Sequence, residues 1–220
     1  MAEASYQDWL TYIFDREATE DGEAWYWNEP AAIELSPRRA AEYTTRAFGD
    51  AALTLRRYSD AQIARGLDYI TNTMVSDHGH FLHNGEVPQD ERIDAINSMT
   101  ALFRGVFDPR CRPVLSHIDE PGGGLLNMVC YMWWDVLPLF AEPGGHRPNP
   151  IDDACLSVMR ETLALANPAC QESALHGLGH WAGAYPMFAA GTIDGFLAAN
   201  PELRPELRAY ALAARSGCVQ

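Results

Sequence analysis

Apolar residues recur at helical spacing through most of the chain. Tyr6, Trp9, Leu10 and Ile13 share one face and predict an opening helix that ends near Arg16. The next stretch, up to Glu34, loses this period. It scatters carboxylates around Trp25, Tyr26 and Trp27 and reads as a loop that packs its rings and solvates its acids. Ser36-Pro37 starts a helix to about Phe48, since a serine hydroxyl can accept an orphan N–H and proline at N1 has none to leave unpaired. A helix over Ala51 to Tyr58 follows. Ser59-x-x-Gln62 then forms a capping box for a helix whose stripe is Ile63, Leu67, Ile70 and Met74. Asp77 to Gly85 is a loop. Beyond Pro88, the positions Ile93, Ile96, Met99, Leu102, Phe103 and Val106 predict a helix that stops at Asp108-Pro109. After a turn-rich connection, Leu125 to Leu137 reads as an apolar helix and the expected centre of the core.

The last third repeats one signal. Asn149-Pro150, Asn167-Pro168 and Asn200-Pro201 each set an asparagine cap before an N1 proline, and each precedes an apolar stripe. With a further helix from Pro186 to Ala199, they predict two antiparallel hairpins, Asn149 to Gly183 and Pro186 to Gly217. No run alternates with period 2, and neither Asn84-Gly85 nor Asp21-Gly22 lies between strand-like segments. The expected fold is all-α, with antiparallel helical hairpins packed as an irregular bundle or short α-solenoid. One domain spans residues 1–220, with the loop at 141–149 as the natural place for a subdomain boundary.

Composition narrows the chemistry. The 220 residues are 47% hydrophobic, enough to build a core, and carry a formal net charge of -14. Phosphate contacts need clustered cations, so nucleic acid and anionic membranes are poor partners and a basic protein is a better one. All 16 cations are arginines, which excludes a lysine Schiff base, a P-loop and a kinase lysine. The five cysteines, Cys111, Cys130, Cys155, Cys170 and Cys218, are odd in number and widely spaced, as free thiols in a reducing compartment would be. With an acidic, polar N-terminal stretch and no apolar run of the roughly 20 residues a bilayer demands, the expected location is cytoplasmic.

The segment Ala174-Leu175-His176-Gly177-Leu178-Gly179-His180, in a hairpin of about HEAT-repeat size, resembles the Ala-Leu-x-x-Leu-Gly core of HEAT repeats. The resemblance covers the C-terminal third. It implies a HEAT-like stack of helices that binds another macromolecule on a concave face.

Two histidine clusters stand out. His176 and His180, at i and i+4, can point the same way from one helix and share a metal ion; Gly177 holds the place where a zincin carries its glutamate, so a protease of that class is excluded. His78, His80 and His83 form the second cluster, in a loop. If both converged, five imidazoles would meet and a metal-dependent hydrolase would follow. The plainer alternative for His176 and His180 is a hydrogen-bonded pair packed beside Trp181. Trp133 and Trp134 are expected in the core, with Asp135 needing an arginine if buried. Gly122-Gly123-Gly124 before a helix could cradle an anion, although Asp119 and Glu120 oppose it. The functional expectation is a protein-binding module without cofactor, of the kind in which an immunity protein neutralises a basic toxin. Its contact candidates are Trp25, Tyr26, Trp27, Trp134, Asp135, His176, His180 and Trp181. The alternative is a divalent metal held by His78, His80, His83, His176 and His180 for hydrolysis.

Overall fold

The computed structural model describes residues 3–28, 33–141 and 148–219, and every regular element among them is helical. The α-helices are α1 (Tyr6–Phe14), α2 (Pro37–Gly49), α3 (Ala51–Thr54), α4 (Asp60–Thr71), α5 (Gln89–Leu102), α6 (Asp108–Arg110), α7 (Leu125–Tyr131), α8 (Trp133–Val136), α9 (Pro150–Leu163), α10 (Pro168–Trp181), α11 (Pro186–Ala199) and α12 (Pro205–Arg215). Short 3-10 turns cover Trp25–Trp27, His78–Leu82 and Ser116–Ile118. No described helix is long and apolar enough to cross a membrane. Most of the 141–149 loop falls outside the described residues, as do 29–32 of the acidic segment.

Side-chain capping explains four of the starts, those of α1, α4, α9 and α10. Ser59 accepts from the Gln62 N–H while the Gln62 side chain accepts from the Ser59 N–H, the reciprocal pair of a capping box. Asn149 caps α9 through the N–H groups of Ile151 and Asp152. Asn167 caps α10 through Ala169, and its amide donates to the carbonyls of Asp108 and Cys111, tying α10 to the end of α6. Ser36 behaves differently. Its hydroxyl caps nothing, and its own N–H donates to Glu3.

Several expected boundaries shift. Asn200 does not start a helix. Its side chain donates to the Phe196 carbonyl at the end of α11, and Pro205, four residues after Pro201, becomes N1 of α12. Two elements competed for one asparagine, and the preceding helix took it. The expected helix over Ala51 to Tyr58 is the single turn α3, and Met74 lies beyond the end of α4 at 84% exposure instead of in its stripe. The apolar run from Leu125 is interrupted at Met132, which separates α7 from α8. Asp108-Pro109 does not stop the chain. A π-turn over Phe103–Phe107 continues the chain into the short helix α6, in which Asp108 comes first and Pro109 second.

The centre of the core is α10, not the run from Leu125. It packs against α7, α8, α9, α11 and α12, and buries its residues from Ala169 to Gly179 without interruption, with Trp181. Its alanines, glycines, serine and cysteine keep it thin enough to be surrounded. A helix enclosed all round has no polar face to mark it. Elsewhere α2 packs on α5, α5 on α9, α9 on α10 and α11 on α12.

Gly177 and Gly179 in α10 mark close approaches. A Cβ on Gly177 would lie 2.6 Å from the Trp134 ring, and one on Gly179 would meet Val219 at 2.6 Å and the Ala214 backbone at 3.2 Å. The first neighbour is an indole side chain, and the second is a valine side chain together with helix backbone. The Trp134 contact holds α8 against α10, and Asp135 follows Trp134.

Candidate metal centre

Along one side of α10 run Glu172, His176 and His180, one turn apart. Asp135 meets this row from α8. Its Oδ2 lies 2.8 Å from His176 Nε2, its Oδ1 lies 2.8 Å from His180 Nε2, and the two Nε2 atoms are 3.1 Å apart. Among the described residues, these form the one group of three or more metal-capable side chains. His176 is buried at 1% exposure, whereas Asp135 and His180 keep 26% and 43% of their side-chain surface, so one side of the triangle opens to solvent. Burial holds the His176 ring below its ordinary pKa, with the Asp135 carboxylate pulling the other way.

Behind the triangle is a layer of rings. The Tyr210 hydroxyl of α12 lies 2.5 Å from His176 Nδ1, and the Tyr131 hydroxyl of α7 lies 3.5 Å from that of Tyr210. The His117 ring stacks on Tyr210 with centroids 4.0 Å apart, and its Nδ1 lies 2.5 Å from Glu172. Glu172 is fully buried and also accepts the backbone N–H groups of Ser116 and His117, each at 2.9 Å. Burial raises both tyrosines, so Tyr131 and Tyr210 are neutral phenols over the physiological range.

No family model, curated protein or solved structure matches the chain. Geometry and chemistry therefore carry the reading of the site.

Two ligand atoms sharing one ion at right angles, with bonds of roughly 2.0–2.2 Å to N and O, lie about 3 Å apart. The 3.1 Å between the two Nε2 atoms has that size, as does the 2.8 Å from each of them to its own oxygen of Asp135, and one ligand atom from each of the three residues lies within 4.8 Å of the other two. Two imidazoles and one carboxylate on one face of an ion are a recurrent transition-metal set that leaves positions free. The same distances also allow a proton-only arrangement, in which each Nε2–H donates to one oxygen of Asp135.

Other expected site residues fall elsewhere. The two histidine clusters do not converge. His78 is buried between the Trp9 and Tyr69 rings, His80 is exposed with Asp77 3.7 Å away, and His83 stacks on Phe140. The three rings face different surroundings because His78 and His80 are two apart on a 3-10 turn, where only i and i+3 share a side, and His83 lies past its end. Asp135 takes two histidines, not an arginine, as partners. Trp134 and Trp181 are core residues, with Trp181 beside Tyr185. Trp25 and Tyr26 pack on Tyr69, and the Tyr26 hydroxyl donates to Asp68, so only Trp27, at 60% exposure, presents its ring to solvent from that trio. The triple glycine borders a groove of about 660 Å³, but Glu20 already accepts the Leu125 N–H, which leaves a carboxylate where an anion would sit. Sequence reading missed Tyr131, Tyr210, Glu172 and His117. A signal existed for one: Glu172-x-x-x-His176-x-x-x-His180 continues the helical row.

Proposed function

We propose that the chain is a metal-dependent hydrolase whose ion is held by Asp135, His176 and His180. The observation carrying this reading is the convergence of two Nε2 atoms and one carboxylate within 2.8–3.1 Å on the solvent side of a buried helix. An ion with open positions supplies Lewis acidity, polarising a substrate oxygen or acidifying water. His176 gives the set a rigid corner, while Asp135 and His180 form its accessible edge. Elemental analysis of protein purified without a histidine tag should find about one zinc, manganese, iron or cobalt per chain, lost in the Asp135→Ala variant. Hydrolysis of activated ester and phosphodiester substrates should depend on that ion. Metal-free protein that also fails to bind added cobalt(II) would overturn the metal centre. Stoichiometric metal without turnover of any such substrate would overturn the hydrolytic part.

A second reading is supported by the net charge of -14 and by Trp27 standing exposed in an acidic segment. It is a cytoplasmic protein-binding module that captures a basic protein, as an immunity protein captures a toxin, with opposite charges steering association. The cysteines, none of them in a disulfide, fit a reducing compartment. A toxin encoded beside this chain should then bind it with an association rate that falls with added salt, and Trp27→Ala should weaken that complex. A neighbouring basic toxin that is left uninhibited would count against it.

A further inference from the structure

We propose that Tyr210, braced by the Glu172–His117 pair, is a positioning residue that selects the tautomer of His176 able to bind a metal ion. The proposal rests on the metal centre above and adds a role for the ring layer behind it. A neutral imidazole carries one proton, on Nδ1 or on Nε2, and only a bare Nε2 can face an ion. His176 Nδ1 has the Tyr210 hydroxyl 2.5 Å away. When the phenol oxygen accepts Nδ1–H, Nε2 is left as a lone pair directed at the triangle.

The phenol is held in place on several sides. Its ring lies against His117 at 4.0 Å and nearly parallel to His176, with 6° between those planes. The Tyr131 hydroxyl lies 3.5 Å from its own, and either oxygen can be the donor between them. His117 cannot turn, because Glu172 takes both its backbone N–H and its Nδ1. Glu172 also sits one turn before His176 on α10, so the brace and the ligand it orients are built on the same rod. Partners behind a metal-bound histidine that fix its tautomer typically matter to affinity 10- to 100-fold.

The test is a cobalt(II) titration of the full chain, read by visible absorption, for the parent protein and the Tyr210→Phe, Glu172→Gln and Tyr185→Phe variants. Tyr185 is a buried tyrosine bonded to Asp152 away from the triangle and reports the cost of simply losing a buried hydroxyl. Tyr210→Phe should bind cobalt(II) about 10- to 100-fold more weakly and with a changed ligand-field spectrum. Glu172→Gln should weaken binding several-fold, and Tyr185→Phe should leave affinity and spectrum as in the parent. Should Tyr210→Phe not fold, the Glu172→Gln result decides. Parent-like affinity and spectra in both site variants, or an equal loss in Tyr185→Phe, overturn the positioning role while leaving the metal centre standing. A parent protein that binds no cobalt(II) overturns both.

Discussion

The chain places histidines at close spacing twice, in the loop from His78 to His83 and on α10 at His176 and His180, and only the second pair meets. On a helix the i, i+4 relation is enforced by the backbone, so two rings share a direction before any tertiary contact forms. In the loop, each ring is placed by whatever it packs against: Trp9 and Tyr69 for His78, solvent for His80, Phe140 for His83. Proximity in sequence becomes a site only where secondary structure gives the side chains a common axis and a third group approaches from another element. Asp135 is that third group.

The largest expected difference between the two regions is in metal binding. Replacing His176 and His180 together by alanine should reduce bound metal from about one ion per chain to a trace, because a lone carboxylate is no site for a transition metal. The triple variant His78→Ala, His80→Ala and His83→Ala should keep the parent stoichiometry. Elemental analysis of both, with circular dichroism to confirm helix content, breaks the comparison if the loop variant is the one that loses metal.

Next in size is the pH dependence contributed by His78. Its burial pushes its pKa down to about 4, with the exposed Asp77 carboxylate opposing weakly from the same loop and the uncharged Trp9 and Tyr69 rings on its faces. Above about pH 6.5 the ring is neutral in both folded and unfolded chains, and its burial carries no protonation penalty. As pH falls from about 6.5 to 4, the unfolded chain takes a proton that the folded chain refuses, so folding stability drops by up to about 3 kcal/mol; below that window the folded ring also protonates and no more is lost. His78→Phe removes the titrating group and the hydrogen-bonding atom, Nε2, that is buried there without a partner. Urea unfolding at pH 7 and pH 4 should show the parent losing about 3 kcal/mol more than this variant between the two. Equal losses would mean that the loop opens to water.

The two regions also differ in how much of them could be read ahead of the structure. Capping is local, so Ser59, Asn149 and Asn167 announced their helices correctly. Asn200 failed because its amide was within reach of the helix before it as well as of the one after. The central place of α10 was hidden, since its small residues let its neighbours bury everything from Ala169 to Gly179 and so blur the amphipathic stripe. The rest of the site joins residues far apart in sequence: Asp135 lies 41 positions from His176, and Tyr210 lies 34. Periodicity carries no information about such pairings, which are decided when α8 and α12 dock on α10. What could have been seen was the Glu172, His176, His180 row itself.

A third test uses the same substitution in two helices. Gly177→Ala puts a methyl 2.6 Å from the rigid Trp134 ring, whereas Gly191→Ala in α11 meets nothing within 4 Å. Overpacking should cost Gly177→Ala roughly 1–3 kcal/mol, while Gly191→Ala should gain about 0.5–1 kcal/mol from helix propensity alone. Moving Trp134 also moves Asp135, so Gly177→Ala should weaken cobalt(II) binding without touching a ligand. Denaturant melts and one titration read both effects.

The smallest expected effect is the sharpest check on the loop. His80 is more than half exposed, and the carboxylate that faces it, that of Asp77, is 3.7 Å away and itself fully in solvent. A pair of that kind is worth about 0–1 kcal/mol at most, and a surface substitution away from caps and cores stays within about 0.5 kcal/mol. His80→Ala should therefore leave the unfolding midpoint, the metal content and any turnover unchanged. A measurable loss in any of them would mean that the loop histidines engage a group that the folded chain alone does not place beside them. The division between a packed loop and a chemical helix would then have to be redrawn around His80.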